Sequence, residues 1–121
     1  MTENYVSIVK IENNLSVCFY NSSEKVVAIA KKMNEINEEA YMHGYNWEAF
    51  FNYYLPKYAP DVLEGMGSDP EAGMYVAYYT LSPETEARAE KLVQVITNLI
   101  ENEELLYQII ENEGNNISWD N

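Results

Sequence analysis

Apolar residues in this chain first recur at every second position and then at helical spacing. The switch between the two periods marks its elements. Over residues 5–12 the side chains alternate and several are β-branched, as in a half-buried strand. Tyr5, Ser7, Val9 and Ile11 share one face, and Val6, Ile8 and Lys10 the other. Asn13-Asn14 follows, and Asn tolerates the left-handed backbone of a tight turn. Residues 15–20 read as the return strand, with Leu15, Val17 and Phe19 on one face.

The period then changes. Asn21-Ser22-Ser23 offers a helix cap, and Val26, Ile29, Ala30, Met33, Ile36, Ala40 and Tyr41 recur at helical spacing. Lys25, Lys31, Lys32, Glu35, Glu38 and Glu39 fill most of the remaining positions, so the helix is amphipathic. Gly44 is placed to end it, and Asn46 to cap a second helix from Trp47. There Trp47, Phe51, Tyr54 and Tyr58 share a face beside Phe50 and Tyr53. Pro56 and Pro60 predict an irregular end and a short turn over 62–64.

Residues 65–73, with three glycines and Asp69-Pro70, read as a loop, and 74–80 as a third strand. Ser82-Pro83-Glu84 is a helix start: cap, first-position proline and an acid in the first turn. Ala89, Leu92, Val93, Ile96, Leu99 and Ile100 form its stripe. The stripe lapses over 101–104 and resumes at Leu105, Leu106, Ile109 and Ile110, which predicts a break. Residues 114–121 form a polar tail apart from Ile117 and Trp119. The predicted order is β-β-α-α-β-α-α. Three strands cannot close a barrel, so we expect an α+β domain over 1–121, a small antiparallel sheet packed against helices.

Composition narrows the function. A chain of 121 residues, 47% apolar, is one folded domain with a real core. Twenty acids against seven Lys and Arg give a net charge of −13. Such a surface repels phosphate, so nucleic acid is not the expected partner. It either keeps the protein soluble or meets a basic protein. With Cys18 as the single cysteine, no internal disulfide forms, and Cys18 reads as a small buried hydrophobe. No signal-peptide pattern and no long apolar run are evident, so the expected location is the cytoplasm, with no membrane contact.

Catalytic chemistry finds little support. His43 is the only histidine, and neither zinc-ligand spacing nor a nucleophile motif accompanies it. It reads as a polar residue at a helix end, where a cation is favoured. The pairs Asp61 with Glu64 and Asp69 with Glu71 match no calcium loop, and Gly65-Met66-Gly67 lacks the lysine of a phosphate loop. No metal, cofactor or catalytic residue is predicted. Trp47 reads as a core anchor, and Glu48 beside it as a residue of the solvated edge. Eleven tyrosines are many for this length, and tyrosine is enriched at interfaces.

The run G-Y-N-W-E-A-F at 44–50, followed by D-P-E-A-G-M-Y at 69–75, resembles the Immunity protein 51 family of bacterial polymorphic-toxin systems. The resemblance covers the first helix through the third strand. It implies an α+β cytoplasmic protein that is not an enzyme and binds the C-terminal toxin domain of a large exported protein. Many such toxins are nucleases with basic clefts, which a charge of −13 complements. The family pattern places Trp47, Glu48, Asp69, Glu71 and Gly73 at matching positions.

The expected mechanism is stoichiometric occlusion. The expected partner-binding residues are Glu48, Tyr53, Tyr54, Asp61, Glu64, Asp69 and Glu71, an acidic surface with tyrosine anchors. The acidic C-terminal helix, with Glu101, Glu103, Glu104 and Glu111, is an equally open site. A second class is a small-molecule-binding or enzymatic domain whose pocket is lined by Trp47, Phe50, Tyr54, Tyr75 and Tyr79. A third is a nucleic-acid mimic. Spare aromatic surface suits either a partner or a second copy of the chain.

Overall fold

The alternating segment becomes β1 (Val6–Ile11) and its return β2 (Asn14–Phe19), antiparallel with Val6 opposite Phe19 and Ile11 opposite Asn14. The computed structural model describes residues 5–121. The hairpin turn is Glu12-Asn13, and Glu12 rather than an Asn takes the positive φ of 55°. Asn14 is already paired in β2.

α1 (Glu24–Ile36) starts after Ser23 and buries Val26, Ile29 and Met33. It stops about two turns before Gly44, its predicted end. The Asn34 amide donates to the carbonyl oxygen of Glu38 at 3.0 Å, and the Asn37 side chain accepts the Glu39 N–H at 3.0 Å. These side chains bond the backbone in place of the next helical turn. Gly44 therefore does not end α1. It opens α2 (Gly44–Tyr58), which carries Pro56 in its last turn. A 3₁₀ turn, Pro60–Val62, follows.

β3 (Gly67–Ser68) and β4 (Tyr75–Thr80) complete an antiparallel sheet of order β1-β2-β4-β3. The α+β class holds, with four strands in place of three. The added strand is two residues in a glycine-rich loop, too short to show an alternation. α3 (Pro83–Glu101) begins with a reciprocal cap: Ser82 Oγ accepts Thr85 N–H at 3.1 Å, and Thr85 Oγ1 accepts Ser82 N–H at 2.9 Å. The predicted break narrows to Asn102, after which α4 (Glu103–Glu113) runs to Gly114.

The helices lie against one face of the sheet, with α3 across β1 and β2, α2 against β4, and α4 beside α1. Leu15, Val17, Phe19, Tyr75, Ala77 and Tyr79 point into that layer. Its centre is aromatic. Phe19 meets Trp47 edge-on at 4.9 Å, and Phe51 meets Tyr75 at 4.8 Å. Each such side chain contributes about 1.5–3 kcal/mol by burial. The predicted polar tail is tied to this body: Ile117 is buried, and Trp119 Nε1 donates to the Gly114 carbonyl at 3.0 Å.

Candidate functional site

The two segments that carry the family pattern meet in space. Gly44 N–H donates to the Ala72 carbonyl at 2.8 Å, and the Asn21 amide reaches the same oxygen at 3.1 Å. The approach is so close that a Cβ on Gly44 would lie 1.6 Å from the Glu71 carbonyl oxygen. Loop 69–74 is thus pinned to the start of α2. Further on, Glu48 accepts a hydrogen bond from Ser68 Oγ at 2.5 Å, joining α2 to β3. Behind it the Tyr75 hydroxyl is buried without a partner, and burial, with Glu48 nearby, raises its pKa.

The cap of α2 falls on His43 and not on Asn46. His43 caps α2, with Nδ1 accepting Asn46 N–H at 3.2 Å. It stands at the positive end of that helix dipole, not at an end that favours a cation. Asn46 is buried and holds the chain's last residues. Its amide donates to the Tyr41 carbonyl at 2.8 Å and to Asn121 Oδ1 at 3.0 Å, and its Oδ1 accepts Asp120 N–H at 2.6 Å.

The seven expected partner-binding residues fall in three places. Asp61 and Glu64, around the 3₁₀ turn, pair with Lys91 and Arg88 of α3. The Lys91 pairing lowers the Asp61 pKa. Tyr53 and Tyr54 face α4. Tyr54 is only 8% exposed, with its ring stacked on Phe50 and the Tyr58 ring tilted against it. Tyr53 donates to Glu113 Oε1 at 2.5 Å, beside Lys57 at 2.6 Å and Tyr58 at 2.7 Å on the same carboxylate. These contacts hold the Glu113 carboxyl at about 2, below its ordinary 4.5. Asp69 and Glu71, on the loop, are exposed, while Glu48 is half-buried beneath them.

Charge is distributed with little slack. Lys10, Lys25, Lys32, Lys57, Arg88 and Lys91 each reach a carboxylate within 4.0 Å. Among the described residues Lys31 alone has no such pair. Asp69, Glu71, Glu104 and Glu111 are exposed and outside these ion pairs.

Concave surfaces flank loop 69–74. On one side Asp69 borders a shallow hollow of about 330 Å³ on the outer sheet face, lined by Val9, Ile11, Ser16, Val76 and Tyr78. On the other, Ala72 and Gly73 border a groove of about 410 Å³, whose far wall includes Val27, Lys31 and Tyr41. Asn21 Oδ1, on the groove, is buried without a partner. The expected aromatic pocket does not form: Trp47, Phe50, Tyr75 and Tyr79 fill the core, each at most 1% exposed.

Among the described residues no group of three His, Cys, Asp or Glu side chains is placed to hold a metal ion, and no helix is long and apolar enough to cross a membrane. Cys18 is free and buried, and burial raises its pKa. Tyr78, Val9 and Ile11, which line the outer hollow, are not among the expected partner-binding residues. Their signal was available: β1 and β4 carry apolar residues on both faces.

No curated protein matches the chain, and no solved structure does. The model of one family, Immunity protein 51, matches residues 6–115, nearly the whole described fold. That span contains the hairpin, every helix and the pinned loop, so the chain belongs to the Immunity protein 51 family.

Proposed function

We propose that this chain protects its producer by binding a cognate toxin domain one-to-one in the cytoplasm and covering the surface that the toxin needs. No reaction of its own is involved. The target is a basic domain, a nuclease by preference, whose Lys and Arg normally hold phosphate. The observation that carries this reading is the pairing of six of the seven cations inside the molecule. The acids left over present one sign of potential to a partner, which speeds encounter and fixes orientation.

The contact centres on loop 69–74. Asp69 and Glu71 meet the toxin's cations, and Glu48 holds the adjoining β3 in place. Asp61 and Glu64 form a weaker front, since their charge is shared with Lys91 and Arg88. Tyr53 and Tyr54 act from beneath, by holding α2 to α4. The test is charge reversal. Asp69→Lys with Glu71→Lys should weaken toxin binding at least about tenfold, and Glu104→Lys with Glu111→Lys should leave it near wild type. If only the α4 pair weakens binding, the contact lies on α4.

A second reading, ligand binding, has one feature in favour: the groove with its unpartnered Asn21 Oδ1. A thermal-shift screen in which a specific compound raises Tm, and Asn21→Ala removes the rise, would establish it.

A further inference from the structure

An antiparallel sheet with helices on one side commonly turns polar residues to solvent on the other. This sheet departs from that pattern. The register places Val9, Ser16, Tyr78 and Gly67 in one row across all four strands. The next row holds Ser7, Cys18 and Val76, and ends at Asp69, whose N–H donates to the Val76 carbonyl at 2.9 Å. Ile11, Asn14 and Thr80 form the row on the other side. Large apolar side chains on β1 and β4 therefore flank a valley of small residues on β2.

Two of these side chains are poised for contact. Ile11 is 62% exposed and Tyr78 46%. Tyr78 is also fixed in place, because its ring lies over Gly67: a Cβ there would fall 2.5 Å from the ring. An exposed aromatic that is already ordered loses little freedom on binding, which is the property of an interface anchor.

We propose that this open sheet face is the apolar centre of the toxin contact, with Tyr78 and Ile11 as its anchors. The proposal rests on the toxin-binding reading above and adds the surface that supplies affinity. The occupant is argued from charge. Glu12, in the turn after Ile11, and Asp69 beside Val76 border the face, and its rows carry no Lys or Arg. Lys10 points to the helix side, where it pairs with Glu86 at 2.6 Å. The matching partner presents an apolar knob ringed by Lys and Arg. A second copy would bring acid against acid, with a charge of −13 on each chain.

The test uses the full chain and the toxin domain encoded beside its gene, with calorimetric titration of wild type, Ile11→Asn, Tyr78→Ala and Ile36→Asn. The first two substitutions should each weaken binding at least about tenfold, and the loss should persist at high salt because it is apolar. Ile36→Asn, an exposed change at the end of α1, should bind as wild type. Ile11→Asn should keep the wild-type Tm, which separates lost contact from lost folding. If both sheet-face variants bind as wild type while the Asp69 and Glu71 reversals weaken binding, the face is overturned and the toxin reading stands. If wild type itself does not bind, both fall. If light scattering shows a wild-type dimer that Ile11→Asn dissociates, the occupant is a second copy and the proposal is overturned.

Discussion

Gly44 shows how one residue can be both a sequence marker and a packing requirement. Its N–H meets the Ala72 carbonyl, and a Cβ would overlap the Glu71 carbonyl oxygen at 1.6 Å. Backbone on both sides leaves nothing soft to move. Gly44→Ala should therefore cost about 3 kcal/mol or more. Gly73→Ala, whose Cβ would sit 3.5 Å from Ser22 Cβ, should cost under about 1 kcal/mol. Urea midpoints measure both, and equal losses would contradict the pinned loop. At this scale local rules misplace Gly44 and Asn46, and they set His43 at a cation-favouring helix end although it stands at the start of α2. A glycine after an amphipathic run resembles a helix stop, and an Asn before a Trp resembles a cap. What decides their roles is contact with loop 69–74 and with the chain's last residues, which lie far off in sequence.

Among the elements, α2 and α4 are joined by a polar knot around Glu113, whose side chain is 19% exposed. Lys57 donates first among its stabilising contacts, then Tyr53 and Tyr58, and together they lower its pKa to about 2. Glu113, and then Tyr53, raise Lys57 above its usual range. A carboxyl depressed in the folded state stabilises the protein fully above its ordinary value of 4.5. That stabilisation is lost as pH falls from about 4.5 towards 2. Thermal unfolding across this window should show a drop in Tm that is smaller in Glu113→Gln, whose Tm at neutral pH is already reduced. An identical acid profile in the variant would place the pH response in other carboxylates. Strands and helices with a full period were legible: β1, β2, β4 and the stripe of α3. β3 was not, because two residues carry no period, and the end of α1 was not, because asparagine side chains stop it. The Glu113 knot had no sequence signal, since its members lie on two separate helices.

At the scale of the whole molecule, the acid excess is organised by where the cations go. Six of seven are held in ion pairs within the molecule, most of them on the surface, where solvent screening leaves each pair little effect on stability. Their larger effect is on what a partner meets: exposed carboxylates beside an apolar sheet face. Which of the expected site residues face outward was legible only in part. Asp69 and Glu71, two acids of the expected patch, stand exposed on the pinned loop, whereas Tyr53 and Tyr54, the expected anchors, turn inward to α4. The exposed tyrosine on the sheet face is Tyr78, and only the register shows it.

The most direct test of the central claim is calorimetric titration of the chain with the toxin domain encoded beside its gene, at low and high salt. We predict one-to-one binding that weakens at least about tenfold as salt rises. Part of the affinity should survive at high salt through the apolar face. Absence of binding at either salt would contradict the account.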